Sequence, residues 1–95
     1  MEKVNLGPDG QNKVLGLMML NNELAAFLIP LVKKTEVSYT WKSRRIFECI
    51  RQSYKEVGSC DGVQVARIMD QRGYAEFDCI VDKLFNLVHE ANDEP

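Results

Sequence analysis

The sequence predicts an all-α domain, a compact orthogonal bundle of about five short helices. Three observations carry that expectation. Apolar residues recur at three- and four-residue spacing through most of the chain, no segment alternates with a period of two for more than a few residues, and capping residues mark the ends of short helices. A chain of 95 residues supports one core. A single helical domain over 10–91 is therefore expected, preceded by an N-terminal arm over 1–9 and followed by a disordered tail over 92–95.

Each element has a local reason. Gly7-Pro8 ends the arm, and Asp9 caps a first helix over about 10–20 in which Val14, Leu15, Met18 and Met19 share a face. This helix is apolar nearly all round, which places it at the centre. Asn21-Asn22-Glu23 both stops it and starts a second helix over about 23–29, because asparagine ends one helix and caps the next while Glu23 suits a first turn. Pro30 has no N–H to donate and disfavours a helical Ile29, so the second helix ends or kinks there. The following TEVSYT, residues 35–40, is too short and polar to stand alone as a strand.

Thr40 is the expected cap of a third helix over about 41–57, whose Ile46, Phe47, Ile50, Tyr54 and Val57 form one inward stripe before Gly58. Its outer side reads Arg44, Glu48, Arg51, Lys55, with opposite charges at three- and four-residue spacing that answer part of the basic character. Asp61 caps a fourth helix over about 62–71, with Val65, Ile68 and Met69 inward and Gly73 closing it. A fifth, about 75–90, turns Phe77, Ile80, Val81, Leu84 and Val88 inward. Glu76, Asp78 and Asp82 load its N-terminal half with the charge the helix dipole favours.

Composition excludes several classes of function. The net charge of −2 and pI near 5.3 give the whole molecule no field that gathers nucleic acid or anionic lipid. The longest apolar run, LAAFLIPLV at 24–32, is about half of the roughly 20 residues a bilayer crossing needs, and Pro30 interrupts it. No basic segment followed by an apolar one opens the chain, so no secretory signal is read there. Cys49, Cys60 and Cys79 are odd in number and scattered, which suits a reducing, cytoplasmic setting rather than a disulfide framework.

Nothing in the chain reads as an enzyme's chemistry. Together with His89 the cysteines could formally make a four-ligand zinc set, but no two share the spacing by which one turn presents two ligands. His89 sits in the last turn of the last helix, where the dipole favours it as an exposed cation. Gly7 and Gly10 lack the G-x4-G-K-[ST] frame of a phosphate loop, and Asp61, Gly62 and Asp70 lack the alternating oxygen ligands of a calcium loop. No cofactor, metal or catalytic residue is expected.

A DNA-binding helix-turn-helix is the main rival. The last three helices have the right order and short joints. In that reading the fifth is the recognition helix, yet it carries Glu76, Asp78, Asp82 and Glu90 against one cation, Lys83. A groove lined by phosphates repels such a face, so direct sequence-specific DNA binding is not expected.

Three stretches, KVLGLMMLNNE at 13–23, VSYTWKSRRIFECI at 37–50 and YKEVGSCDGVQVARIMDQRG at 54–73, resemble in order and spacing the N-terminal domain of DnaB-type replicative helicases. Val14-Leu15-Gly16, Asn22-Glu23, Tyr39, Arg44 to Phe47, Gly58, Asp61 and Gly73 fill that family's places. The acidic arm before the first motif is degenerate here, and Ser43 stands where the family often has histidine. The C-terminal helicase-binding domain of DnaG-type primases shares the fold and a looser version of the pattern.

The resemblance implies a replication module without catalysis of its own, docking a DnaG-type primase, a DnaB-type helicase subunit or a helicase loader. It would serve as a domain of a larger helicase or as a small relative that occupies the partner's surface. The 95 residues leave out most of the helical hairpin through which helicase N-terminal domains pair, so weak homodimerisation rather than a ring is expected. For the docking surface, the candidates are Tyr39 and Trp41 at the rim of the core, with Arg44, Arg45, Arg51 and Lys55 beside them. Arginine next to aromatics is the composition that interface centres favour, and an acidic partner surface would suit it.

Overall fold

The structure, a computed structural model, describes residues 8–32 and 43–92. Five α-helices make up the described chain: α1 (Pro8–Leu20), α2 (Asn22–Leu31), α3 (Arg44–Val57), α4 (Gly62–Gln71) and α5 (Phe77–Asn92). No strand occurs among the described residues. The all-α expectation holds. The arm over 1–7, the TEVSYT stretch, the Thr40 cap and the tail beyond 92 lie outside the described residues.

Cap chemistry sets the boundaries, and corrects several of the expected ones. α1 begins at Pro8 and takes Asp9 into the helix instead of using it as the cap. Proline suits a first helical position because its φ is preset and its missing N–H would have had no partner there. Asn21 does both jobs expected of it. Its N–H donates back to the Leu17 carbonyl at 3.3 Å, while its side-chain Oδ1 accepts from the Glu23 and Leu24 N–H groups at 2.7 and 3.3 Å. α2 then runs through Pro30 for one more residue and ends at Leu31, two residues beyond the expected end.

α3 starts at Arg44, three residues later than expected, with Ser43 in the cap position making no side-chain cap bond. It stops at Gly58, whose φ of 75° is left-handed and whose N–H donates to the Tyr54 carbonyl at 2.9 Å. Asp61 caps α4 by accepting from the Gln64 N–H at 3.0 Å. The end of α4 is a Schellman turn. Gly73 (φ 75°) donates to the Asp70 carbonyl at 3.0 Å and Tyr74 to that of Met69 at 2.9 Å. α5 opens two residues later than expected, with the Cys79 and Ile80 N–H groups donating to the Glu76 carbonyl at 3.1 and 2.9 Å, and continues to Asn92.

One apolar cluster holds the helices together. α1 packs against α5, α2 and α3, so its central place follows from its all-round apolar surface. Leu15, Met18, Phe47, Ile50, Val65 and Leu84 are fully buried in that cluster. Cys49, Cys60 and Ser53 join them, a trio the inward stripes did not include. The stripe on α3 ends sooner than its spacing suggests, since Tyr54 is only partly buried and Val57 is 59% exposed. On α5 the buried line is Ile80, Leu84, Leu87 and Ala91, with Phe77, Val81 and Val88 at its edge.

Gly16 marks a close helix crossing. A Cβ placed there would lie 2.8 Å from the Ala91 Cβ and would penetrate the Leu87 carbonyl. α1 and α5 therefore meet backbone to backbone at this point. Two polar ties lock the α3–α4 joint: the Ser53 hydroxyl donates to the Ser59 carbonyl at 2.6 Å, and the Cys60 thiol donates to the Met18 carbonyl of α1 at 3.2 Å.

Candidate interaction surface

The outer side of α3 presents two adjacent rows, because residues three and four apart stack along a helix. One row is Arg44, Glu48, Arg51, Lys55. The other is Arg45, Gln52, Glu56. Arg51 and Lys55 line an open groove of about 690 Å³ together with Glu48, Gln52, Glu56, Tyr54, Arg72 and Ile29 of α2. Arg44 and Arg45 are exposed at the start of the helix. Tyr39 and Trp41, the two expected aromatic anchors, lie outside the described residues.

The expected charge pairing within α3 is not formed. Among the described residues no carboxylate comes within 4.0 Å of Arg44, Arg45, Arg51, Lys55 or Arg72. The cations have other neighbours instead. Arg51 lies over the buried Phe47 ring, 5.9 Å from its centroid. Arg45 stands 4.8 Å from the centroid of Tyr74, in the turn between α4 and α5. Arg72 approaches the same ring at 5.8 Å, donates to the Tyr74 hydroxyl at 3.4 Å, and donates to the side-chain carbonyl of Gln52 on α3. The bond to Tyr74 holds the Arg72 pKa above its ordinary value.

Arg72, Tyr74 and Gln52 were thus missed by the sequence reading, and the reason is separation along the chain. Gln52 and Arg72 are twenty residues apart. Arg72 is visible in sequence only as the residue before a helix-ending glycine, a place where the dipole favours a cation. Its meeting with α3 depends on how the α4–α5 turn folds back. The Schellman turn at Gly73 is what brings Arg72 and Tyr74 to α3.

The remaining chemistry of the chain is quiet. Burial pushes the Cys49 and Cys60 thiols up to about 11, so both are protonated at neutral pH and poor nucleophiles. For Cys49 the nearby Arg72 partly offsets that burial, and for Cys60 Asp61 adds to it. Cys79 and His89 are exposed on α5. Among the described residues no three His, Cys, Asp or Glu side chains come together as a metal site, and no helix is long and apolar enough to cross a membrane. No family model, curated protein or solved structure matches the chain.

Proposed function

We propose that this chain is a non-catalytic docking module of the DNA-replication machinery, acting as the N-terminal domain of a DnaB-type helicase does when it engages a primase, a loader or another helicase subunit. The observation that supports this best is where the motif residues fall. Gly16 is at the helix crossing a side chain would block, Gly58 and Gly73 are the two left-handed glycines among the described residues, and Asp61 is the cap that restarts the chain between them. Each place admits few residue types. Their recurrence in the family's order therefore carries more weight than shared composition would.

The surface supports docking over catalysis. The cations of α3 and of the α4–α5 turn are exposed and lack carboxylate partners among the described residues, and Arg45 and Arg72 sit beside Tyr74, a pairing enriched where interfaces concentrate their energy. The setting would be the cytoplasm.

The test is a binding assay with the purified chain against a DnaB-type helicase, a DnaG-type primase and a loader, read by calorimetry. A duplex DNA titration at two salt concentrations runs beside it. A saturable complex with one of the three proteins that survives added salt is expected, with no duplex binding. Duplex binding that falls steeply with salt and disappears in Arg44→Glu would replace this reading with the helix-turn-helix one.

A further inference from the structure

We propose that Arg45 and Arg72, assembled on Tyr74, form a carboxylate-binding site for an acidic helical segment of a protein partner. The inference rests on the docking reading only in taking a protein as the partner; the cluster itself stands on its geometry. Two guanidinium groups share one aromatic ring, at 4.8 and 5.8 Å from its centroid. Arg45 over the ring keeps its edge N–H groups for an anion, and Arg72 retains three of its five N–H groups after donating to Tyr74 and Gln52.

Arg72 is oriented before any ligand arrives. It is tied to the Tyr74 hydroxyl and to Gln52 of α3, so less side-chain freedom is lost when it binds. Tyr74 is itself fixed by the Schellman turn through its bond to the Met69 carbonyl. Neither arginine has a carboxylate within 4.0 Å among the described residues, although Glu48 is near enough to act on Arg72 through space. Among the described residues the cluster thus has a carboxylate in its neighbourhood but none in direct contact.

Carboxylate fits better than duplex phosphate. The rows next to the cluster carry Glu48 and Glu56, which would repel a continuous polyanion running along α3. A helical segment presenting Asp or Glu at three- or four-residue spacing offers separate carboxylates instead, each able to take a two-pronged bond from one arginine. Exposed Lys55 and Arg51 lie further along the same helix to receive others.

The test is an NMR titration of the whole chain, following the arginine Nε–H signals and the Tyr74 ring. The probe is a synthetic amphipathic peptide with glutamates at four-residue spacing; a scrambled peptide, inorganic phosphate and a DNA duplex are the comparisons. Saturable shifts at Arg45, Arg72 and Tyr74 with the ordered peptide are expected, larger than those at Arg67. In Arg45→Gln/Arg72→Gln the affinity should fall about tenfold or more, and Arg45→Lys/Arg72→Lys should not restore it, because an ammonium has no fork.

Shifts centred elsewhere, equal affinity in the double glutamine variant, or tighter binding of the duplex overturns the proposal. The wild-type arginine signals decide it even where a variant folds poorly. A replication protein that binds the chain equally well with and without the two arginines sinks this site and leaves the docking reading standing. Peptide capture at the cluster with no replication protein bound has the opposite meaning.

Discussion

α2 and α3 invert what their compositions suggest. α2, NELAAFLIPL, is almost entirely apolar, yet only Ala25 is buried, while Phe27 is 65% and Leu31 60% exposed. α3, RRIFECIRQSYKEV, is rich in charge, yet it buries Ile46, Phe47, Cys49, Ile50 and Ser53. The difference is arrangement. In α3 the apolar residues occupy one stripe that a single neighbouring surface can cover, whereas in α2 they surround the axis and no single contact covers them all. Local hydrophobicity is thus a poor guide to which helix carries the fold, and periodicity a good one.

The sharpest test of that contrast is Phe47→Ala. Phe47 is fully enclosed, and its removal should cost about 4 kcal/mol in denaturant unfolding, the range for a large aromatic cut out of a core. A loss below about 1 kcal/mol would mean that the α3 stripe is not the centre of the fold. Next in size is Gly16→Val. The branched side chain must push into the Leu87 carbonyl and Ala91, so a destabilisation of about 3 kcal/mol is expected, with the melting temperature reporting it. Wild-type stability in this variant would show that α1 and α5 are further apart than the structure has them.

What could be read ahead of the structure divides along the same line. Strong stripes and punctuating residues were legible: Leu15, Ile50, Val65 and Leu84 face inward as their spacing requires, and Asn21, Gly58, Asp61 and Gly73 end or start helices where they should. Boundaries failed where two signals competed. Pro8 outranked Asp9 as the start of α1. Pro30 was absorbed into the last turn of α2, where its missing N–H costs one helical bond and the helix stops one residue later. On the candidate surface, Arg44, Arg45, Arg51 and Lys55 were found exposed as expected, because a stripe's opposite side is fixed by helical geometry. The Arg45–Tyr74–Arg72 cluster was not legible. It depends on a turn that returns to α3 from a distant part of the chain, which periodicity within one helix cannot report.

The thiols of Cys49 and Cys60 extend the contrast to pH. α3 and its joint bury two ionisable groups, whereas the described part of α2 has only the exposed Glu23. Burial raises both thiols from 9.0 to about 11, so the folded chain keeps protons that the unfolded chain releases. Their contribution is complete at neutral pH and is lost as pH rises through the interval from 9.0 to about 11. Each thiol should remove about 1 kcal/mol by pH ~10. Cys60→Ala should therefore show a shallower fall of stability in that interval than the parent chain, measured by urea unfolding at a series of pH values. An identical slope would mean that Cys60 is reached by water.

The smallest expected effect closes the comparison from the other side. Phe27→Ser removes, among the described residues, the most exposed large apolar side chain from the most apolar helix. If hydrophobic content alone made α2 important, this change would cost as much as a core truncation. If burial decides, the ring gives up little on unfolding because it is already two-thirds in water, and the cost should stay within about 0.5 kcal/mol. Serine and phenylalanine are nearly equal helix formers, and the Asn21 cap and the bonds from Ala25 and Val32 at the two ends of the helix are untouched. Equilibrium unfolding of Phe27→Ser beside Phe47→Ala makes the comparison direct, the same residue type removed from the two helices. A loss at Phe27 approaching that at Phe47 would show that α2 is covered in solution by something other than the helices described above.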